Sequence, residues 1–459
     1  MRIGPVHVAI VVGLASLDRC RVAPFTRNTG GATVVYLRMR RIHVLLLASI
    51  LASSAGFLSL DRDTADAATV KKKTVDVMFV GNNWDGTIDV LNAASYKRIK
   101  RINVIPDKDQ RLTAIRQDPA KLGFYLAIQQ LVGEGHDQFV DDMFSTHDGK
   151  ILAVSRPSLA DVVGVDLKTQ KQVWRFPMEG YRTDHMGVSP DGKKLLVSDS
   201  TANKVHELDL RTGKKLREFP SGDTPHESNY SKKGDRIFHA SIGRVYVPAD
   251  LTKLRPVAKI VKGEQAFQIV DNKTFKILKK WDMGQKMDEA GYPGYSSAVR
   301  PMAIAPGQRF VYLQLSYLHG FVEFDTKGEG KVTRVAMLPQ SDEAKKTPTS
   351  QYQLNSAHHG IAMNPSGTKL CAAGTMSDYA AIVDRKTFGY KILPVGDKPY
   401  WSTNGVNGTT CWMSVSGLDK VVVIDYAKAK IIKQIAVGDH PQRVREGMVG
   451  ANVVKYWHG

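Results

Sequence analysis

The sequence predicts an all-β fold, a seven-bladed β-propeller of four-stranded antiparallel blades, on three observations. A strand–turn–strand phrase recurs around Gly149, Gly192, Gly234, Gly307, Gly367, Gly408 and Gly450, at spacings of 43, 42, 73, 60, 41 and 42 residues. Each phrase runs on into two more stretches that alternate β-branched or aromatic residues with polar ones, the period of a half-buried strand. The chain ends are also complementary. VDVMFVGNNWDGTIDVLNAASYKRIKRINV supplies three strands without a first, and HPQRVREGMVG supplies a first strand without partners. Four strands on a period just over forty residues are a propeller blade. Pairing the ends closes a ring over 75–450 and removes the need for separate caps.

Within a blade, the turn between strands one and two carries the glycine, as in SPDG (189–192) and NPSG (364–367). Strands three and four are clearest in VVVID (421–425) and IIKQIAV (431–437), joined by AKAK, and recur in VVGVDL with QVWRFPM, KVHELDL with KLREFP, and FQIVD with KILKKWDM. The two long spacings mark insertions. Segments 105–137, 242–265, 284–298 and 338–356 all follow second or fourth strands, so they return to one mouth of the central channel and are expected to form a lid there. In the first of them Leu122, Tyr125, Ile128 and Leu131 fall at helical spacing beside Phe124 and Leu112, which predicts a short amphipathic helix packed on the blades.

Ahead of the repeats, residues 39–67 have a basic start (Arg40, Arg41), an apolar run and a small-residue site, Ala65-Asp66-Ala67. That is the layout of a secretory signal peptide, broken by too many polar positions for a lasting membrane span. The expectation is an exported protein of the cell envelope or medium. Residues 1–38 show no helix or strand period and read as an upstream extension, with Met39 as the start. Removing 1–67 leaves 392 residues, too many for one ordinary core and suited to a repeat array. Five arginines and one aspartate lie before Met39, and three of each between 39 and 67, so the formal charge of +19 becomes +15 in the mature chain. This balance favours anionic partners. Without an arginine-rich arm or aromatic-spaced basic motif it gives no reason to expect nucleic acid. A monomer is expected.

MFVGNNWDGTIDVL, LLVSDSTANKVHELDL and the repeated strand–Gly hairpin resemble the YVTN-type seven-bladed propellers, a group similar to the lactonase-like propellers. The signature itself is degenerate, surviving as Phe79-Val80-Gly81-Asn82. The resemblance implies the fold. It leaves activity open, because such propellers include surface, binding and enzymatic members.

Function therefore rests on what departs from the repeat. Counting eight back from each hairpin glycine reaches the residues that enter the innermost strands at the loop-bearing mouth: Asp141, Asp184, His226, His359, Tyr400 and Gln442. One step on gives Asp142, His185, Glu227, Gly360, Trp401 and Arg443, while Arg300 of blade five aligns only loosely. Six of the eleven mature-chain histidines (His136, His185, His226, His358, His359, His440) cluster in these windows. Imidazoles and carboxylates converging on a small ring suit a divalent metal. His185, His226 and His359 are the leading ligands, with Asp184, Glu227, His358 and Asp141 as further ligands or supports. Strand parity is expected to let only one of Asp184 and His185 face the channel. Tyr292, Tyr295, Tyr400 and Trp401 are candidate pocket walls, and Arg182, Arg300, Lys398 and Arg443 would attract an anion. A histidine-rich set points to Cu, Fe or Zn: oxidative chemistry with the first two, metal-activated water opening a lactone or similar ester with the third. A solvent-filled polar channel in a non-catalytic binding propeller is the alternative. No nucleophile elbow, phosphate loop or zinc-protease helix is present. Cys371 and Cys411 fall in corresponding strands of consecutive repeats, leaving open a disulfide or two separate thiols.

Overall fold

The structure is a computed structural model that describes residues 73–245, 247 and 252–458. The predicted signal peptide and upstream extension lie outside the described residues. Within them the chain forms seven four-stranded antiparallel sheets in sequence order. Blade one is completed by the C-terminal strand Pro441–Gly450, which pairs antiparallel with Thr74–Asn82 in a register running from Thr74 opposite Gly450 to Asn82 opposite Pro441. First strands of successive blades then neighbour one another all the way round, including the closing strand against Met143–Ser145 of blade two and Pro399–Asn404 of blade seven.

The alternation seen in the sequence becomes packing between blades. Val77, Phe79, Val90, Met143, Val154 and Val163 fill the space between blades one and two. Phe238, Phe267, Trp281, Val311, Leu313 and Phe324 fill that between blades four and five. Cys371 and Cys411 form a disulfide that ties blade six to blade seven. Apolar burial on this scale is the main force holding one sheet to the next.

The insertions form helices. Segment 105–137 holds α1 (Lys108–Arg116) and α2 (Pro119–Leu131). The α2 turn begins at Asp118, whose carboxylate accepts from Ala120 N and Lys121 N, and Pro119 sits where its missing N–H costs nothing. Part of its apolar stripe packs as predicted: Ile128 is buried, and Leu122 and Tyr125 pack with Leu112 against Ile105, Phe139 and Leu159, whereas Leu131 and Phe124 are exposed, Phe124 stacking on Tyr181. Segment 242–265 carries α3 (Arg255–Lys262), and 284–298 contains most of α4 (Met283–Glu289). Segment 338–356 carries α5 (Asp342–Lys346), capped by the Ser341 hydroxyl. Finally α6 (Ala451–His458) folds back with Val453, Val454 and Trp457 against the blade-one and blade-two core.

One irregularity positions the site. In blades three, four, five and seven the first strand carries a bulge at the same place, between Thr183 and Met186, Pro225 and Ser228, Val299 and Met302, and Pro399 and Ser402. The closing strand has its own between Pro441 and Val444. Each bulge sets two residues opposite one on the partner strand. Those pairs are Asp184-His185, His226-Glu227, Arg300-Pro301, Tyr400-Trp401 and Gln442-Arg443. Blades two and six begin their strands just later, and there Asp141-Asp142 and His359-Gly360 bond the backbone of Ser155 and Ala373 of the second strand, with the Ser155 hydroxyl also accepting from Asp142 N. Arg300 is thus the direct equivalent of His226, and blade five is shortened in its hairpin instead.

Candidate metal centre

The strand entries, five of them bulged, aim one residue from every blade into a single small cavity. Asp141, Asp184, His226, Arg300, His359, Tyr400 and Gln442 line it, joined by His185 and Arg443 from the second bulge position. Parity therefore does not separate Asp184 from His185: the extra residue of the bulge turns both toward the channel, correcting the sequence expectation. The space open to the centre of a water molecule is ≈ 20 Å³, enough for at least one water molecule or ion.

Among the described residues, one ligating atom each from His185, His226 and His359 lies within 4.8 Å of the other two. A point reachable by all three is then at most about 2.8 Å from each, so small side-chain rotations bring it to the ~2.0–2.1 Å of a metal–nitrogen bond. A second group of the same closeness is Asp141, Asp184 and His185. All three imidazoles are buried, with Nδ1 lacking a protein partner in each. The His185 and His226 rings sit 3.9 Å apart, and the His359 ring stacks at 4.0 Å on Tyr400.

Electrostatics keep these rings neutral. Burial holds the pKa of His185, His226 and His359 well below the usual imidazole value, and the nearby guanidinium of Arg443 lowers each further, with Arg300 adding to the effect at His226 and His359. Neutral imidazole is the form that ligates metal. Asp141 is pushed up to about 7 by burial and by Asp184 and Asp142, against the pull of Arg443. Its Oδ1 lies 3.2 Å from Arg443 Nη2, while its Oδ2 has no partner. Asp184 accepts from Arg182 Nη1 at 2.8 Å and from the Ser200 hydroxyl. Arg443 Nη2 also donates to His185 Nε2, which leaves the His185 proton on Nδ1.

The lid is present, and three of the four insertions reach the cavity. Val132 and the adjoining Gln138 cover it from the first, Ile242 and Val245 from the second, and Leu354 from the fourth. Gln138 accepts from Arg182 and donates to Val132 O, and Asn355 donates to Val245 O, so the loops hold one another and the rim. Leu354 O accepts from Arg300 Nη2. The remaining insertion acts from outside, where Asp288, Gly284 O and Tyr295 O hold Arg255 at the start of α3.

Several candidates lie elsewhere. His358 is one residue from His359 on a regular strand entry, so it faces the other way, bonding Tyr379 OH at 3.0 Å beside His319. Glu227 is buried but committed, accepting from Met302 N of blade five and from Asn229 Nδ2. Burial raises it to about 7. Tyr292 is exposed, and Tyr295 packs on the core of blades four and five, because the turn with Gly291 and Gly294 at positive φ carries both outward. Trp401 is a floor rather than a wall, buried beneath Arg443 and Arg445 at 4.4 and 4.6 Å and beside His185 at 5.5 Å. Lys398 bonds Glu134 at a separate pocket. Sequence reasoning missed Gln138 and the apolar lid residues. A lone Gln or Leu in a long loop carries no pattern that would mark it.

No family model matches the sequence, and no curated protein matches it. Among solved structures the chain is similar to one of Kuenenia stuttgartiensis hydrazine synthase, at 14% identity and a TM-score of 0.51 over 69% of this chain and 96% of that one. At that identity the likeness speaks for the propeller fold alone.

Proposed function

We propose that the protein is an exported YVTN-type propeller that holds one divalent transition metal on His185, His226 and His359 and uses it on a small ligand beneath the lid. The observation that carries this reading is the convergence of three buried, neutral imidazoles, each with an unpartnered nitrogen, on one small cavity. Imidazole nitrogens favour Cu, Fe or Zn over Ca or Mg. Asp141 and Asp184 place carboxyl oxygens beside them. Oxidative chemistry on Cu or Fe is the preferred version, because histidines dominate the ligand set. A Zn-activated water opening a lactone is the hydrolytic one. Export is supported by the signal-like segment 39–67 and by the Cys371–Cys411 bond, since disulfides persist in oxidising compartments.

Elemental analysis of protein beginning at Thr69 tests the reading. About one equivalent of metal is expected, falling to background in His226→Ala and His359→Ala. Three arginines facing two carboxylates at the same cavity favour a second reading, a non-catalytic site for an anion. Protein with no stoichiometric metal, whose ligand binding survives both substitutions, would establish that alternative instead.

A further inference from the structure

We propose that the ligand taken beside the metal is a small carboxylate, that Arg443 receives it, and that the metal is what makes Arg443 available. This inference rests on the metal reading. Arg443 is buried, its guanidinium face fixed 4.4 Å over the Trp401 ring and its edge turned into the cavity. Two partners satisfy it, both through Nη2: Asp141 Oδ1 and His185 Nε2. Nε and Nη1 have none.

The bond to His185 and ligation of a metal by His185 Nε2 exclude each other, since one lone pair serves both. Ligation through Nδ1 conflicts equally, because that nitrogen carries the proton while Nε2 accepts. A metal on His185 therefore strips Arg443 of one of its two acceptors. A buried guanidinium left with most donors unmet is costly. Asp141 cannot meet the need alone. Its unpartnered Oδ2 offers only one more acceptor. An anion with two coplanar oxygens satisfies the planar fork of a guanidinium, and a carboxylate is the smallest common group of that shape. Arg182 and Arg300 line the same cavity, so the surrounding potential suits a negative ligand. Val132, Ile242, Val245 and Leu354 above it would exclude water from the pair.

Thermodynamic linkage makes the consequence measurable: if metal frees Arg443 for the carboxylate, the carboxylate must tighten metal by the same factor. The experiment titrates formate into mature protein with and without one equivalent of Co²⁺, by calorimetry and by the Co²⁺ visible spectrum. Formate is expected to bind the Co²⁺ form at least about tenfold more tightly. Arg443→Gln should keep one Co²⁺ per chain and lose that difference. The double variant Arg443→Gln/Asp141→Asn removes the unpaired buried carboxyl and should behave alike, which separates loss of the fork from loss of folding. Equal formate affinity with and without Co²⁺, or full coupling in either variant, overturns the proposal while leaving the metal centre standing. Failure of the wild-type protein to take up Co²⁺ overturns both.

Discussion

Asp142 shows how one side chain at a strand entry is spent on architecture while its neighbour is spent on the site. Its buried carboxylate accepts from Met186 N of blade three and from Nε and Nη2 of the partly exposed Arg445 on the closing strand, joining three blades. Asp142→Ala leaves Arg445 and the Met186 amide without partners and should cost about 3 kcal/mol in urea unfolding. The Asp184, His226, His359 and Tyr400 positions were legible from the sequence, because counting from a hairpin glycine reaches the same strand position in every blade. The same count reached the second position, naming His185 and Arg443, but not which of its residues face the channel, because that depends on whether the next blade offers an N–H, as Met302 does to Glu227, or leaves the side chain free, as at His185 and Arg443.

At the scale of elements, the strands, the connections and the lid helix α2 followed from alternation, turn chemistry and helical spacing. The bulges did not. A bulge leaves no compositional mark in an entry strand such as TDHMGV, whose polar residues already obscure the alternation. At the sequence level the one-position offset of Cys371 and Cys411 lets them face each other across neighbouring sheets, but it equally allows two separately buried thiols. In the structure both lie in second strands at the blade-six and blade-seven boundary, buried in the core those blades share. The bond closes a loop with a sequence separation of 40. Its loss in Cys371→Ser/Cys411→Ser should cost about 3–4 kcal/mol by chain-entropy reasoning. Comparison of denaturant midpoints with the wild-type protein checks this, and adding reductant to the wild type should reproduce the shift.

For the whole molecule, the ring is held by apolar cores between blades and by the pairing of its two ends, with α6 adding Trp457 Nε1 to Leu167 O across blades one and two. The same burial makes the molecule acid-sensitive. His239, between two serine hydroxyls, and His440 are held down to about 3, and His319 to about 4, mainly by burial. Their folded pKa values lie below the unfolded value near 6.5, so the unfolded chain binds more protons in acid. Stability is therefore full above about pH 6.5 and falls as pH drops toward 3–4, by roughly 2 kcal/mol at pH 5 for each of His239 and His440. Equilibrium unfolding at pH 7, 6 and 5 should show that decline, and His239→Gln should flatten it.

Seven strand entries, five of them bulged, bring three histidines together at the mouth of the channel. X-ray absorption fine structure at the metal edge of the mature protein, loaded with one equivalent of Co²⁺ or Zn²⁺, tests most directly whether they form the proposed metal centre. The account predicts a shell of three imidazole nitrogens at about 2.0–2.1 Å, with the outer-ring scattering of histidine, reduced in His226→Ala. A shell of oxygens alone, or a spectrum unchanged by that substitution, would contradict it.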